Sequence, residues 1–186
     1  MGALWVVATG LGAQARFMSP TPALDETALD DLEVGSVTVA AVTEVVDVLV
    51  AGLSDSPLAA AVYGGRPDRL GRVLVGIVRE SDGGLLAARF GRRAVGAAVM
   101  TATPDGWRLG PTAVLPGLRG RGVGTRLLGV CLARVDATGE AAVALVDTAR
   151  AAALLGRLGF EGCDHELRAG VPTWSMRRPG RHDVNR

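Results

Sequence analysis

Apolar residues in the first half of the chain recur mainly at helical spacing. A short alternating run over residues 36–40 predicts a strand. From Thr43 onward, valines and leucines at three- and four-residue intervals predict a helix, and two more helical segments follow over residues 58–62 and 67–77. Pro67 suits the first turn of a helix, where the missing backbone N–H has no partner to lose. The first half is therefore predicted to supply one strand and a layer of helices.

The middle of the chain changes to strand-like patterns. Residues 84–90 and 94–101 flank a Gly-Arg-Arg loop and predict a hairpin, and residues 107–115 predict a third strand. Gly110 and Pro111 lie inside that third strand, where they weaken or bulge the ladder of hydrogen bonds. A bulge there would splay this strand away from its next neighbour and leave an opening for a ligand.

The last third of the chain alternates helices with strands. A stripe of apolar residues from Leu127 predicts an amphipathic helix, and the continuous apolar run over residues 141–146 predicts a strand buried on both faces. A helix is predicted over residues 149–158 and a final strand over residues 172–178, with the polar residues between them assigned to a loop. This order of elements predicts an α/β (mixed α+β) fold, with one mostly antiparallel sheet and helices on both faces.

The length of 186 residues is enough for one well-buried domain and too short for two comfortable ones. We expect an N-terminal arm over residues 1–33, a folded domain over residues 34–178 and a tail over residues 179–186. The apolar stretch at the N-terminus has no basic residue before it, unlike a secretory signal, and this favours a cytoplasmic location.

Charge and cysteine content argue against several classes of function. The formal net charge is +1, from 20 basic and 19 acidic residues mixed along the chain, so no nucleic-acid or membrane partner is predicted. No uncharged apolar run is long enough to span a bilayer. Cys131 and Cys163 have neither metal-ligand nor disulfide-framework spacing, so no metal site is predicted. We expect Cys131 in the core and Cys163 in the core or partly exposed.

The stretch RGRGVGTRLL, residues 119–128, joins a predicted strand to a predicted helix. Every basic residue in the chain is Arg, so the lysine of a Walker-type phosphate loop is missing. Gly120, Gly122 and Gly124 do not have the Gly-x-Gly-x-x-Gly spacing of a dinucleotide loop. The remaining pattern, Arg-x-x-Gly-x-Gly before a helix, directs backbone N–H groups at one spot and predicts a pyrophosphate cradle. A chance glycine pattern and an Arg-Gly RNA-binding segment are the alternatives.

Two motifs resemble those of the GCN5-related N-acetyltransferase (GNAT) superfamily. AVLPGLRGRGVG, residues 113–124, resembles its acetyl-CoA signature, a strand ending in Val-x-Pro followed by Gln/Arg-x-x-Gly-x-Gly/Ala. ARAAALLGRLGF, residues 149–160, resembles the second helix of the family, which closes in Leu-Gly-Phe. The order of elements agrees over about residues 34–178, and GVPTWSMRR resembles the puromycin N-acetyltransferase branch of small-molecule acetylators.

This resemblance implies a GNAT-like fold with a splay between the fourth and fifth strands. It implies an acetyl-CoA-dependent N-acetyltransferase that acts on a small, antibiotic-like amine by direct transfer in a ternary complex, as a monomer or homodimer. The main chain of the first three of the following residues would hold the pantetheine arm and the backbone amides of the others the pyrophosphate: Ala113, Val114, Leu115, Arg119, Gly120, Arg121, Gly122, Val123, Gly124 and Thr125. The side chains of Arg119 and Arg121 are expected to add charge-assisted contacts.

One position departs from the family pattern. The branch usually carries a Tyr four positions before the closing Gly-Phe, as general acid toward the CoA thiolate, and this chain has Leu155 there. The departure leaves an alternative function open, that of a catalytically weakened homologue which binds acyl-CoA as a sensor or partner subunit.

The general base has two candidates. Asp55 lies between early helices, where the family builds its acceptor pocket, and Asp147 ends the buried strand beside the splay. Each has an equally simple structural role, which is to cap a helix. Tyr63, the only tyrosine, lies on the acceptor side and is a candidate substrate contact, with core packing as the alternative.

Overall fold

The computed structural model describes residues 30–81 and 84–181. Within these residues, the helices are α1 (Val42–Leu53), α2 (Pro57–Tyr63), α3 (Pro67–Glu80), α4 (Val123–Thr138) and α5 (Ala149–Arg157). The strands are β1 (Leu32–Ser36), β2 (Leu85–Phe90), β3 (Arg93–Thr103), β4 (Gly106–Val114), β5 (Ala142–Val146), β6 (Glu161–Arg168) and β7 (Val171–Arg178). Most of the predicted arm, and the predicted tail beyond residue 181, lie outside the described residues.

The strands form one sheet in the order β1-β2-β3-β4-β5-β7-β6. Neighbouring strands pair antiparallel except β4 and β5, which are parallel and joined by the crossover through α4. A parallel pair needs such a crossover because the chain must return to the same end of the sheet. The predicted fold class is therefore confirmed.

The core is divided between the two faces of the sheet. One cluster joins the sheet to α4 and α5, through buried residues such as Leu127, Cys131 and Leu155. The other joins it to α1, α2 and α3, through residues such as Leu49 and Leu74. The helical stripes read from the sequence are thus buried against opposite faces, as the sequence predicts.

One strand prediction and one loop prediction are wrong. The first strand is β1 (Leu32–Ser36) rather than residues 36–40, because its pairing with β2 begins at Leu32 and Phe90. Val37 packs instead against the cluster beneath α1, and a short 3-10 turn over Val39–Ala41 leads into that helix. The predicted loop after Phe160 contains β6, an edge strand whose residues are almost all exposed and show no apolar alternation.

Among the described helices, no single one is long and apolar enough to cross a membrane. Only α1 and α2 taken together reach that length and apolarity, and a bend of 103° separates them.

Candidate active site

A bulge in β4 opens the sheet at its centre. Ala98 pairs with Thr112 and Met100 with Leu109, so Gly110 and Pro111 together oppose a single residue of β3. The parallel pairing of β4 with β5 covers only residues 107–109, so the two strands separate from Gly110 onward. The structure therefore has the predicted splay between the fourth and fifth strands. The rest of β4 turns a main-chain edge toward the resulting gap.

The glycine loop follows β4 and begins α4. Gly120 and Gly122 have φ angles of +76° and +85°, a left-handed conformation that a side chain strongly disfavours. The first helical hydrogen bond runs from the amide of Arg126 to the carbonyl of Gly122, which leaves the amides of Val123, Gly124 and Thr125 without an acceptor inside the helix. These N–H groups and the positive end of the α4 dipole are suited to an anion.

A cleft of about 230 Å³ lies where the β4 edge meets this loop. Its lining includes predicted cofactor residues Ala113, Val114, Arg119, Gly120, Gly122, Gly124 and Thr125. It does not include three others: Leu115 is partly buried against both clusters, Val123 is buried in the core and Arg121 is exposed. The sequence motif thus coincides with the cleft at the gap between β4 and β5.

The side chain of Arg119 is engaged in contacts within the protein. Its guanidinium forms a two-pronged ion pair with Asp55, with N–O distances of 2.6 Å and 3.0 Å, and also donates to the carbonyls of Gly52 and Val114. The Arg119 and Asp55 side chains are only 11% and 12% exposed. The Arg119 side chain, expected to contact the pyrophosphate, thus forms an internal ion pair in this structure, and both oxygens of Asp55, a candidate base, are occupied.

The other candidate base, Asp147, lies directly after β5 and is 4% exposed. Its Oδ2 accepts hydrogen bonds from the hydroxyl of Ser56 and, at 3.0 Å, from the amide of Leu58. Its Oδ1 is buried and has no partner among the described residues. Asp147 therefore contacts the start of α2, while Thr148 caps α5 by accepting from Ala151. Asp147 was predicted either to act as a base or to cap α5. In the structure it instead binds α2, a helix distant in sequence.

Tyr63 ends α2 on the opposite face of the sheet from the cleft. It lines a small pocket of about 20 Å³, whose other walls include Ser56 and Pro111. Burial raises the pKa of the Tyr63 hydroxyl above its ordinary range. The structure thus places this candidate substrate contact beside the β4 bulge.

The comparison with known proteins assigns the family. A sequence profile of the acetyltransferase (GNAT) family matches residues 56–160, which is more than half of the chain. The chain belongs to this family. Among curated proteins, no sequence matches the chain significantly.

Solved structures of other acetyltransferases share the GNAT fold. An agmatine N-acetyltransferase has a TM-score of 0.69 and 17% identity, covering 80% of this chain and 99% of that one. A polyamine N-acetyltransferase from Drosophila melanogaster has a TM-score of 0.68 and 16% identity, covering 78% and 98%. A PaiA N-acetyltransferase from Thermoplasma acidophilum, in complex with coenzyme A, has a TM-score of 0.62 and 13% identity, covering 80% and 98%.

Two arginines of the GNAT cleft were not predicted from the sequence. Arg150 and Arg157 line it from α5, together with Leu154. A Cβ on Gly120 would lie 3.4 Å from Nη2 of Arg150, so this guanidinium is directly above the loop. The three α5 residues recur at intervals of four and three, a helical face that the sequence does show. The sequence does not show that this face of α5 borders the gap between β4 and β5.

Leu155 is fully buried in the cluster beneath α4 and α5. Its aliphatic side chain has no proton to donate, and in this structure it packs in the core.

Proposed function

We propose that this protein is an acetyl-CoA-dependent N-acetyltransferase that acetylates the amine of a small molecule by direct transfer in a ternary complex. The observation that carries the proposal is the cleft at which the unpaired edge of β4 meets the glycine loop. Membership of the GNAT family gives the class of reaction, acetyl transfer. The donor, the acceptor and the direct transfer are proposed.

The charges and shape of the cleft fit the pyrophosphate of CoA. Three arginines line it, Arg119, Arg150 and Arg157, and none of its lining residues is acidic. Since Asp55 neutralises Arg119, the net positive charge comes from the two arginines of α5. Gly120, whose missing side chain leaves room below Arg150, lets an anion reach the backbone N–H groups.

The edge of β4 that β5 leaves unpaired fits the amides of a pantetheine arm. An extended ligand that carries amide groups can add to a strand edge by main-chain hydrogen bonds. Residues 112–114 line the cleft, beyond the point where β5 stops pairing. A ligand held at the loop by its pyrophosphate would then extend along β4 toward the bulge, which brings a thioester to the gap.

The acceptor is proposed to approach from the face that carries α1, α2 and α3. Successive strand residues face opposite sides of a sheet. Thr112 lines the donor cleft, whereas Pro111 lines the small pocket with Ser56 and Tyr63. We propose that the gap beside these two residues connects the faces, so that amine and thioester meet inside the sheet.

The reaction is simple in its atoms. The lone pair of a neutral amine attacks the thioester carbonyl and the C–S bond breaks, which releases the CoA thiolate. The proton that the nitrogen loses as the amide forms passes through water to that thiolate, which leaves as CoA thiol. Alignment of two bound substrates can lower the barrier by about 7–11 kcal/mol at best, and a proton-transfer residue adds roughly 10²–10⁴-fold. Because Leu155 donates no proton, we expect positioning to supply most of the acceleration.

The test measures binding and turnover separately. Calorimetry should detect CoA binding, and chromatography should detect CoA release from acetyl-CoA when monoamines, diamines, agmatine and aminoglycosides are supplied. Chromatography is preferred to a thiol reagent because the exposed Cys163 would react with the reagent. Binding without turnover on any amine would contradict the enzyme proposal, and absence of CoA binding would contradict the cleft assignment.

A second candidate function, acyl-CoA binding without efficient catalysis, is favoured by Leu155. The matched pair Leu155→Tyr and Leu155→Phe tests it, since the two variants differ only by a hydroxyl. An increase in slow acetylation for Tyr but not for Phe would support a weakened enzyme. Zero turnover in both variants, with CoA binding intact, would support a sensor.

A further inference from the structure

The corner between α1 and α2 contacts both sides of the gap in the sheet. This corner, residues 54–56, lies between the two helices on the acceptor face. Asp55 binds Arg119, which follows β4, whereas the next residue, Ser56, binds Asp147, which follows β5. Two adjacent side chains, Asp55 and Ser56, therefore contact the residues that follow β4 and β5, the two strands whose pairing stops at the gap.

The contact on the β4 side fixes the start of the glycine loop. A Cβ on Gly52 would lie 2.5 Å from Cβ of Ala113, so α1 packs closely on β4 with only the Ala113 methyl group between the two backbones. This close approach lets the guanidinium of Arg119 reach the carbonyls of Gly52 and Val114 as well as Asp55. Loss of the Asp55 charge would leave a largely buried guanidinium without its counter-charge.

The contact on the β5 side fixes the start of α2. The Oδ2 atom of Asp147 accepts from the Ser56 hydroxyl and from the Leu58 amide, and the same hydroxyl accepts from the Ala59 amide at 3.1 Å. Ser56 is fully buried and Asp147 nearly so, which makes these bonds costly to lose. Ser56 also lines the small pocket beside Tyr63, so the contact positions an acceptor wall.

We propose that Asp55 and Asp147 are positioning residues that clamp the α1–α2 corner across the gap between β4 and β5. Asp55 holds the cofactor loop in place through Arg119, and Asp147 holds the acceptor wall through Ser56. The inference rests on the proposed function for the roles of cleft and wall. In this proposal both carboxylates, the two candidate bases, hold the walls of the site in position and do not transfer protons.

The clamp predicts separable effects of two isosteric substitutions. Asp55→Asn should weaken CoA binding about tenfold or more, because a loop displaced by about 1 Å loses aligned N–H donors. Its effect on the KM for the amine should stay within about twofold. Asp147→Asn should do the reverse, raising the KM for the amine with little change in the Kd for CoA, because it alters only the start of α2.

Hydrogen exchange of the ligand-free protein tests the clamp independently of any activity. Asp55→Asn should accelerate exchange about tenfold at the hydrogen-bonded amides that flank the loop, those of Leu118, Arg119 and Arg126, and Asp147→Asn should do so for residues 58–60. Asp68→Asn is the matched control, since Asp68 forms an exposed ion pair with Arg66 at a distance of 3.2 Å. It should leave both segments, and binding, unchanged.

Uniform acceleration over the sheet in either variant, or faster exchange at the same segment in both, would overturn the clamp. If Asp55→Asn fails to fold, Asp55→Glu, which keeps the charge but shifts the carboxylate, should give the same local pattern in weaker form. If the wild-type protein does not bind CoA, the proposed function fails, while the exchange pattern still decides the clamp.

Discussion

Substitution of Gly124 by Val should weaken CoA binding without destabilising the protein. Gly124 lies in the first turn of α4 and lines the cleft. A Cβ there would be 3.6 Å from Cγ2 of Val114, an ordinary van der Waals contact, so the fold has room for it. The added methyl groups would extend into the space assigned to the pyrophosphate.

The Gly124→Val substitution is expected to leave stability level or slightly higher but to lower the affinity for CoA. Gly in a helix costs up to about 1 kcal/mol relative to Ala, and Val recovers part of that difference. The free energy of unfolding should therefore stay level or rise slightly. Loss of one charge-assisted hydrogen bond to a phosphate oxygen costs about 1.5–3 kcal/mol, which corresponds to roughly a 10- to 150-fold higher Kd.

Urea denaturation and calorimetric titration with CoA measure the two effects. Gly124→Ala is the matched control, since a single methyl group should keep most of the affinity and raise stability. Gly122→Ala offers a contrast, because its φ of +85° makes any side chain cost about 1–2 kcal/mol in the fold itself. Wild-type CoA affinity in Gly124→Val would refute the assignment of the loop.

Three further predictions concern charge, thiol reactivity and pH. Arg150→Gln and Arg157→Gln should each raise the Kd for CoA about tenfold, and calorimetry in rising salt should show a shallower decrease in affinity than wild type. Burial raises the pKa of Cys131 to about 12, so iodoacetamide should label only the other, exposed cysteine until urea unfolds the protein, as counted by mass spectrometry. Hydrogen bonding to Arg178 lowers the pKa of Asp136. The pair therefore stabilises the fold fully above about pH 4, and this stabilisation is lost as the pH falls through the lowered pKa. The stability difference between wild type and Asp136→Asn, less than about 1 kcal/mol for a half-exposed group, should narrow from pH 7 to pH 3 in urea melts.

The helices and central strands were predictable because their patterns are local. The stripe on α4 and the apolar run of β5 have the periodicity of the surfaces that bury them. The bulge at Gly110 and Pro111 was predictable as well, because those residues disrupt a strand wherever they occur. In contrast, β6 is exposed along its length, so only its pairing with β7 shows that it is a strand.

The roles of the charged residues were not predictable in the same way. The sequence indicates that Arg119 belongs to an anion-binding motif, and its backbone does lie in the loop. Its side chain pairs with Asp55, which is 64 residues away, and the acceptor of the Ser56 hydroxyl is 91 residues away. No local pattern reports such partners.

By itself, the sequence determined the glycine loop, the helix that it begins, the order of the helices and central strands, and the resemblance to the GNAT family. These follow from backbone preferences and apolar periodicity, which act over a few residues. Only the tertiary structure decided that the candidate base Asp55 pairs with Arg119, that the other, Asp147, accepts from Ser56, and that two arginines of α5 face the cleft. The order of strands in the sheet brings these residues together, and that order depends on contacts between distant parts of the chain.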